Sequence, residues 1–120
     1  METLSINSKS RFSLPDFAKL LSPIVHVELS NDTVTVRGVG SRVYLHTSPE
    51  SPTADGNWRL FLDYSDINLA KQVLERVADN PSFSVDNDFG TVLSGDAFIA
   101  RCRNQPGWDW RTDSVAHPEI

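Results

Sequence analysis

Residues 25–47 read VHVELSNDTVTVRGVGSRVYLHT, a run of apolar–polar alternations broken by turn residues. Val25, Val27 and Leu29 fall on one side of the first segment, with His26 and Glu28 on the other. Val34 and Val36 alternate with Thr33, Thr35 and Arg37, and Val43 and Leu45 alternate with Arg42, Tyr44 and His46. A period of two built on β-branched residues is that of an antiparallel sheet with one face on the core and one in water. Asn31-Asp32-Thr33 supplies the first turn and the Gly38/Gly40 pair the second.

Working outward, Trp58–Tyr64 (WRLFLDY) predicts a fourth strand, more central than the others, because Trp58, Leu60, Phe61 and Leu62 leave few polar positions. The polar stretch 48–57 before it, with two prolines, is a loop. Upstream, 13–23 (SLPDFAKLLSP) predicts one short helix. Ser13 caps it, Pro15 is tolerated in the first turn, and Phe17, Leu20 and Leu21 form its apolar stripe until Pro23 stops it. Residues 1–12 are polar and weakly patterned, an arm or an edge strand. Downstream, 65–81 is the clearest helix. Ser65 or Asp66 caps it, and Ile67, Ala70, Val73, Leu74 and Val77 share one face. Lys71 and Glu75 are placed to pair one turn apart, and Asn80-Pro81 closes it.

Phe83–Val85 and Thr91–Leu93 predict short strands around an Asp86-Asn87-Asp88 turn. Residues 94–106 admit a strand, with Phe98, Ala100 and Cys102 alternating. A capping Ser94, an acidic first turn at Asp96, the alanines and the closing Pro106 favour a helix instead. The expected architecture is therefore α+β, a single domain over residues 1–111. It has a mostly antiparallel twisted sheet and two or three helices packed on one face, with residues 112–120 a flexible C-terminal tail.

The chain has 120 residues, 39% hydrophobic and 22% charged, enough for one core without disulfides or metal. It has a single cysteine, and the first 25 residues carry Lys9, Arg11, Asp16 and Lys19 with no unbroken apolar stretch. A cytoplasmic, reducing location is the expectation, and the Asn31-Asp32-Thr33 sequon is a chance match. No segment approaches the roughly 20 apolar residues of a membrane span. The net charge of −5 argues against a nucleic-acid binder. It is unevenly spread: residues 50–100 carry three basic and nine acidic groups, and between Ala78 and Ala100 every charge is acidic (Asp79, Asp86, Asp88, Asp96).

Specific chemistries find little support. The Gly38/Gly40 pair resembles the opening of a dinucleotide fingerprint, but strand leads to strand where that motif needs a helix. Asp86 and Asp88 fit the first two ligand positions of a calcium loop. Gly90 then stands at the fifth and Ala97 at the twelfth, so a turn is the better reading. His26 and His46, with Glu28, are a thin basis for zinc, and solvated strand histidines are the ordinary case. Cys102 between Arg101 and Arg103 reads as an inert buried thiol. No cofactor or metal is expected.

Two sets of candidate contact residues remain. The first is the acidic Asp86, Asp88 and Asp96 together with Trp108 and Trp110 of the PGWDW stretch. Those indoles would either strap the C-terminus over the core, the favoured reading, or anchor a partner. The second is the wet side of the meander: His26, Glu28, Arg37, Tyr44 and His46, which line one surface if the strands pair in order. The expected function is a small acidic protein-interaction module rather than an enzyme. Its sharper form is an immunity or inhibitor protein that blocks a basic partner by charge complementarity. The alternatives are a small-molecule-binding or enzymatic α+β domain, and a structural subunit of a homo-oligomer. The expected partner is a basic protein or a second copy of the chain, not nucleic acid or membrane.

Overall fold

The structure, a computed structural model, describes residues 1–23, 25–48, 52–88 and 90–112. The predicted alternations all become strands: β2 (His26–Leu29), β3 (Thr33–Gly38), β4 (Ser41–Thr47), β5 (Trp58–Tyr64), β6 (Ser84–Asp86) and β7 (Val92–Ser94). The helices are α1 (Leu14–Leu21), α2 (Ile67–Val77) and α3 (Gly95–Asn104), and a short 3₁₀ turn covers Trp110–Thr112. The helix reading of 94–106 holds.

Residues 1–12 depart from expectation. Glu2–Ser8 form a strand, β1, and it is central rather than an edge or an arm. The seven-stranded sheet runs β2-β3-β4-β5-β1-β6-β7. β1 pairs antiparallel with β5 on one side and β6 on the other. Leu4 and Ile6, both fully buried, are the only apolar residues on its inward face, with the buried Ser8 beside them. Thr3, Ser5 and Asn7 point the other way, so the segment looked polar while its few apolar residues sat at the middle of the core.

Burial alternates along every long strand. Val34, Val36, Val43, Leu45, Leu60, Leu62 and Tyr64 face inward with Leu4, Ile6 and Val85. α1 packs over β2 and β3, α2 over β4 and β5, and α3 over β6 and β7. All three cover the same face, because each helix has one apolar stripe and the sheet offers one apolar side. No helix among the described residues is long and apolar enough to cross a membrane.

The helix ends follow elementary capping chemistry. Ser13 Oγ accepts from Asp16 N at 3.3 Å, and Asp66 Oδ1 accepts from Asn68 N at 2.9 Å. Ser94 departs from the expected cap: its hydroxyl donates to Asp96 Oδ1 at 2.7 Å and makes no cap bond. The expected Lys71–Glu75 pair is also replaced. Lys71 Nζ donates to Pro106 O at 3.0 Å, and Glu75 Oε1 accepts from Arg103 Nε at 3.1 Å, so both tie α2 to the α3 side of the layer.

The C-terminal indoles complete the core. Trp110 is fully buried and Trp108 is 9% exposed. Trp110 stacks edge-on against Tyr64 with ring centroids 5.6 Å apart, and Phe98 lies 5.4 Å away. Its Nε1 donates to the Tyr64 hydroxyl at 2.8 Å, and its carbonyl accepts from the buried Asn87 Nδ2 at 2.5 Å. Arg101 lies over the Trp108 ring at 4.3 Å. Tyr64→Phe should keep the packing but strand the indole N–H, costing about 1–3 kcal/mol in chemical denaturation. A cost near zero would mean that this hydrogen bond carries no net stability. The tail expected over 112–120 lies outside the described residues from 113 onward, and so does His117.

Candidate functional site

With three helices on one side, the other side of the sheet is left uncovered by the described residues. Strand register assigns its residues row by row. One row runs Glu28, Thr35, Tyr44, Asp63, Thr3, and the next runs Thr33, His46, Phe61, Ser5, Asp86. Adjacent strands stand about 4.8 Å apart, so each row is a continuous surface across five strands.

At the centre, Asp63 joins three elements. Its Oδ1 accepts from Thr3 Oγ1 at 2.6 Å, and its Oδ2 lies 2.9 Å from His46 Nε2, which donates in that geometry. The His46 ring tilts over Phe61 with centroids 5.5 Å apart. The threonine hydroxyl is aimed at the carboxylate and not at the imidazole. A nucleophile–base relay needs the hydroxyl proton to go to the histidine, so this trio positions side chains rather than activating one.

Further out, Glu28 accepts from Arg37 Nε at 2.9 Å, and His26 Nε2 stands 3.5 Å from the same carboxylate. Hydrogen bonding and the charge of Arg37 hold the Glu28 carboxyl below its usual range. On the opposite flank Arg59 Nε donates to Asn7 Oδ1 at 3.0 Å. Glu28, Asp63 and Asp86 face the same side as Arg37, Arg42 and Arg59, so apart from the histidines the face is charge-balanced.

The second candidate set is thus assembled: His26, Glu28, Arg37, Tyr44 and His46 share this face, because the meander pairs in order. The first set is not. Trp108 and Trp110 pack into the core, Trp110 wholly and Trp108 with 9% of its surface exposed. Asp86 faces outward on β6, where its Oδ1 accepts from Asp88 N at 2.9 Å. Asp88 holds the hairpin turn at φ +69°, a conformation aspartate tolerates. Asp96 opens α3 in the helical layer. The three carboxylates therefore stand on different elements: Asp86 on β6, Asp88 in the turn after it and Asp96 in the first turn of α3. Asp79, the fourth acid of that stretch, is met by Arg103 at 3.5 Å.

Sequence reasoning missed Asp63, Phe61 and Thr3. Phe61 stands between Leu60 and Leu62, so these three positions read as apolar throughout and do not mark the outward side. The signal was present in Arg59 and Asp63, which flank Phe61 at a spacing of two and share its outward side. His26 and His46 sit in different rows with different carboxylates. Among the described residues no group of three or more His, Cys, Asp or Glu could hold a metal ion. Burial pushes the Cys102 thiol up to about 11, so it is protonated at neutral pH. Away from the face, a cleft of about 510 Å³ opens at the end of the sheet, where Arg11 lies 5.8 Å above the ring of Trp58. No protein-family model, curated protein or solved structure matches the chain.

Proposed function

We propose that the chain is a small acidic protein-interaction module that binds a partner protein across its uncovered sheet face. The observation that carries this reading is the composition of that face. Partly buried aromatic groups stand at its centre (Phe61, His46, Tyr44), His46 is held by Asp63 and Tyr44 is met by Arg42, and charged side chains of both signs ring them. Central aromatic anchors within a polar rim are the anatomy of protein interfaces. Groups already fixed by Asp63 and Glu28 lose little freedom on docking, which lowers the entropic cost of association.

The sharper form is an inhibitor or immunity protein that blocks a basic partner inside the cell. Its support is the net charge of −5, which steers a positive protein at long range without requiring one acidic patch. In this reading the whole molecule attracts, and the open face grips.

The test begins with a purified partner, sought first among the products of neighbouring genes. Phe61→Glu should weaken its binding by roughly 30-fold or more in calorimetry. Arg76→Ala, exposed on the helical side, should leave binding unchanged. The association rate should fall as salt rises if the partner is basic. A partner bound equally well by Phe61→Glu would move the interface off this face.

A further inference from the structure

Antiparallel register sets Arg37 directly opposite Arg42, both on the open face. Like charges directly across a strand pair destabilise it, so hairpin formation alone does not favour this arrangement. The two guanidiniums have different surroundings. Arg37 is committed to Glu28, with Nε 2.9 Å from Oε1 and Nη2 3.5 Å from Oε2. Arg42 has no carboxylate partner among the described residues. Its Nη1 stands 3.5 Å from the Tyr44 hydroxyl, and its backbone N–H donates to Ser65 Oγ at 3.0 Å. That bond pins the strand end and leaves the guanidinium outside.

Around the pair is a hollow of about 420 Å³, lined also by Met1, Ser41, Tyr44 and Ser65. With Glu28 counted, the two arginines leave one positive charge uncompensated. Met1 borders the same hollow, so the site is cationic, and the choice between a carboxylate and a phosphate rests on the shape of the donor group rather than on the charge count. The planar guanidinium fork matches the two oxygens of a carboxylate, and the Tyr44 hydroxyl stands beside it as a further donor.

We infer that Arg42, backed by Arg37 and Tyr44, forms a carboxylate-receiving notch in the open face, and that an acidic side chain of the partner protein fills it. The inference deepens the interface reading, and rests on it only for the owner of the carboxylate. A partner that is basic overall still carries single acidic side chains, and one of them seated here would set the register of docking.

The experiment uses the full ¹⁵N-labelled chain and acetyl-aspartate amide as the probe, with sodium chloride at matched ionic strength as reference. The Arg42 side-chain Nε–H resonance and the Arg37 and Tyr44 amides should shift saturably with the probe. Arg42→Gln should weaken that binding at least roughly fivefold, while Arg59→Gln, elsewhere on the same face, leaves it unchanged. Arg42→Gln should also keep or raise Tm, since it relieves the like-charge pair. Shifts reproduced by chloride alone, undiminished binding in Arg42→Gln, or a lower Tm in that variant would each overturn the notch. Inorganic phosphate binding more tightly than the probe would overturn its assignment to a carboxylate. The titration needs no partner, so its failure is distinct from that of the interface. Partner binding unaffected by Phe61→Glu would leave the notch standing and remove the interface.

Discussion

Gly95→Ala should destabilise the protein by about 3 kcal/mol or more, although it adds a single methyl group. Gly95 is buried at the first position of α3, and its N–H donates to Phe83 O at 2.9 Å. A Cβ built there would lie 2.6 Å from Asn80 O and closer still to Ala78 O. Both obstacles are backbone atoms at the end of α2, so no side chain can rotate to make room. Either α3 must leave β7 and β6, or the α2–β6 connection must shift, and each route opens packed core. Gly107→Ala is the matched control. Its Cβ would meet nothing within 4 Å, and the loss of unfolded-state freedom should leave it neutral or stabilised by up to ~1 kcal/mol. Equal stability of the two variants in urea or guanidinium titrations would show that α3 does not start in contact with α2.

Trp110→Ala should cost about 3–5 kcal/mol, lowering Tm by roughly 10–20 °C. The ring is fully enclosed among Tyr64, Phe98 and Trp108, so its removal leaves a cavity bounded by three aromatic side chains. It also leaves the Tyr64 hydroxyl without the donor it now meets at 2.8 Å. Stabilities of domains run to about 5–15 kcal/mol, so this change alone takes a large fraction of the total. Trp110→Phe, which keeps most of the ring volume, should lose clearly less. A cost below about 1 kcal/mol for the alanine variant would mean that the C-terminal segment is not part of the folded unit.

Much of the fold was legible because its signals are local. The α2 stripe of Ile67, Ala70, Val73, Leu74 and Val77 needs only the helical period. The β2–β3–β4 meander needs only the alternation and its turns. Gly40, at φ +70°, sits in the two-residue link between Gly38 and Ser41, where glycine is at no disadvantage. β1 was not legible in the same way. Two inward apolar residues in seven give a weak period, and what makes the strand central is its pairing with β5 and β6, some fifty to eighty residues away in the chain.

The candidate site divides along the same line. His26, Glu28, Arg37, Tyr44 and His46 came together on paper because short turns join their strands. Asp63 and Thr3, sixty residues apart, meet in a 2.6 Å hydrogen bond that no window of sequence contains. The acidic run from Asp79 to Asp96 is spread over several elements by the fold. Folding sends Asp79 to Arg103, Asp86 to the open face and Asp96 to the helical layer.

By itself, then, the order of residues determined which sides of each strand and helix turn from water, since that depends on periods of two and 3.6 within one segment. It determined that the sheet has a wet face and which meander residues stand on it. Tertiary structure alone decided the place of β1 in the sheet, the burial of Trp108 and Trp110, and the facing of Arg37 and Arg42. Those depend on which distant segment becomes the neighbour, and neighbours are chosen by the packing of the whole chain rather than by any stretch of it.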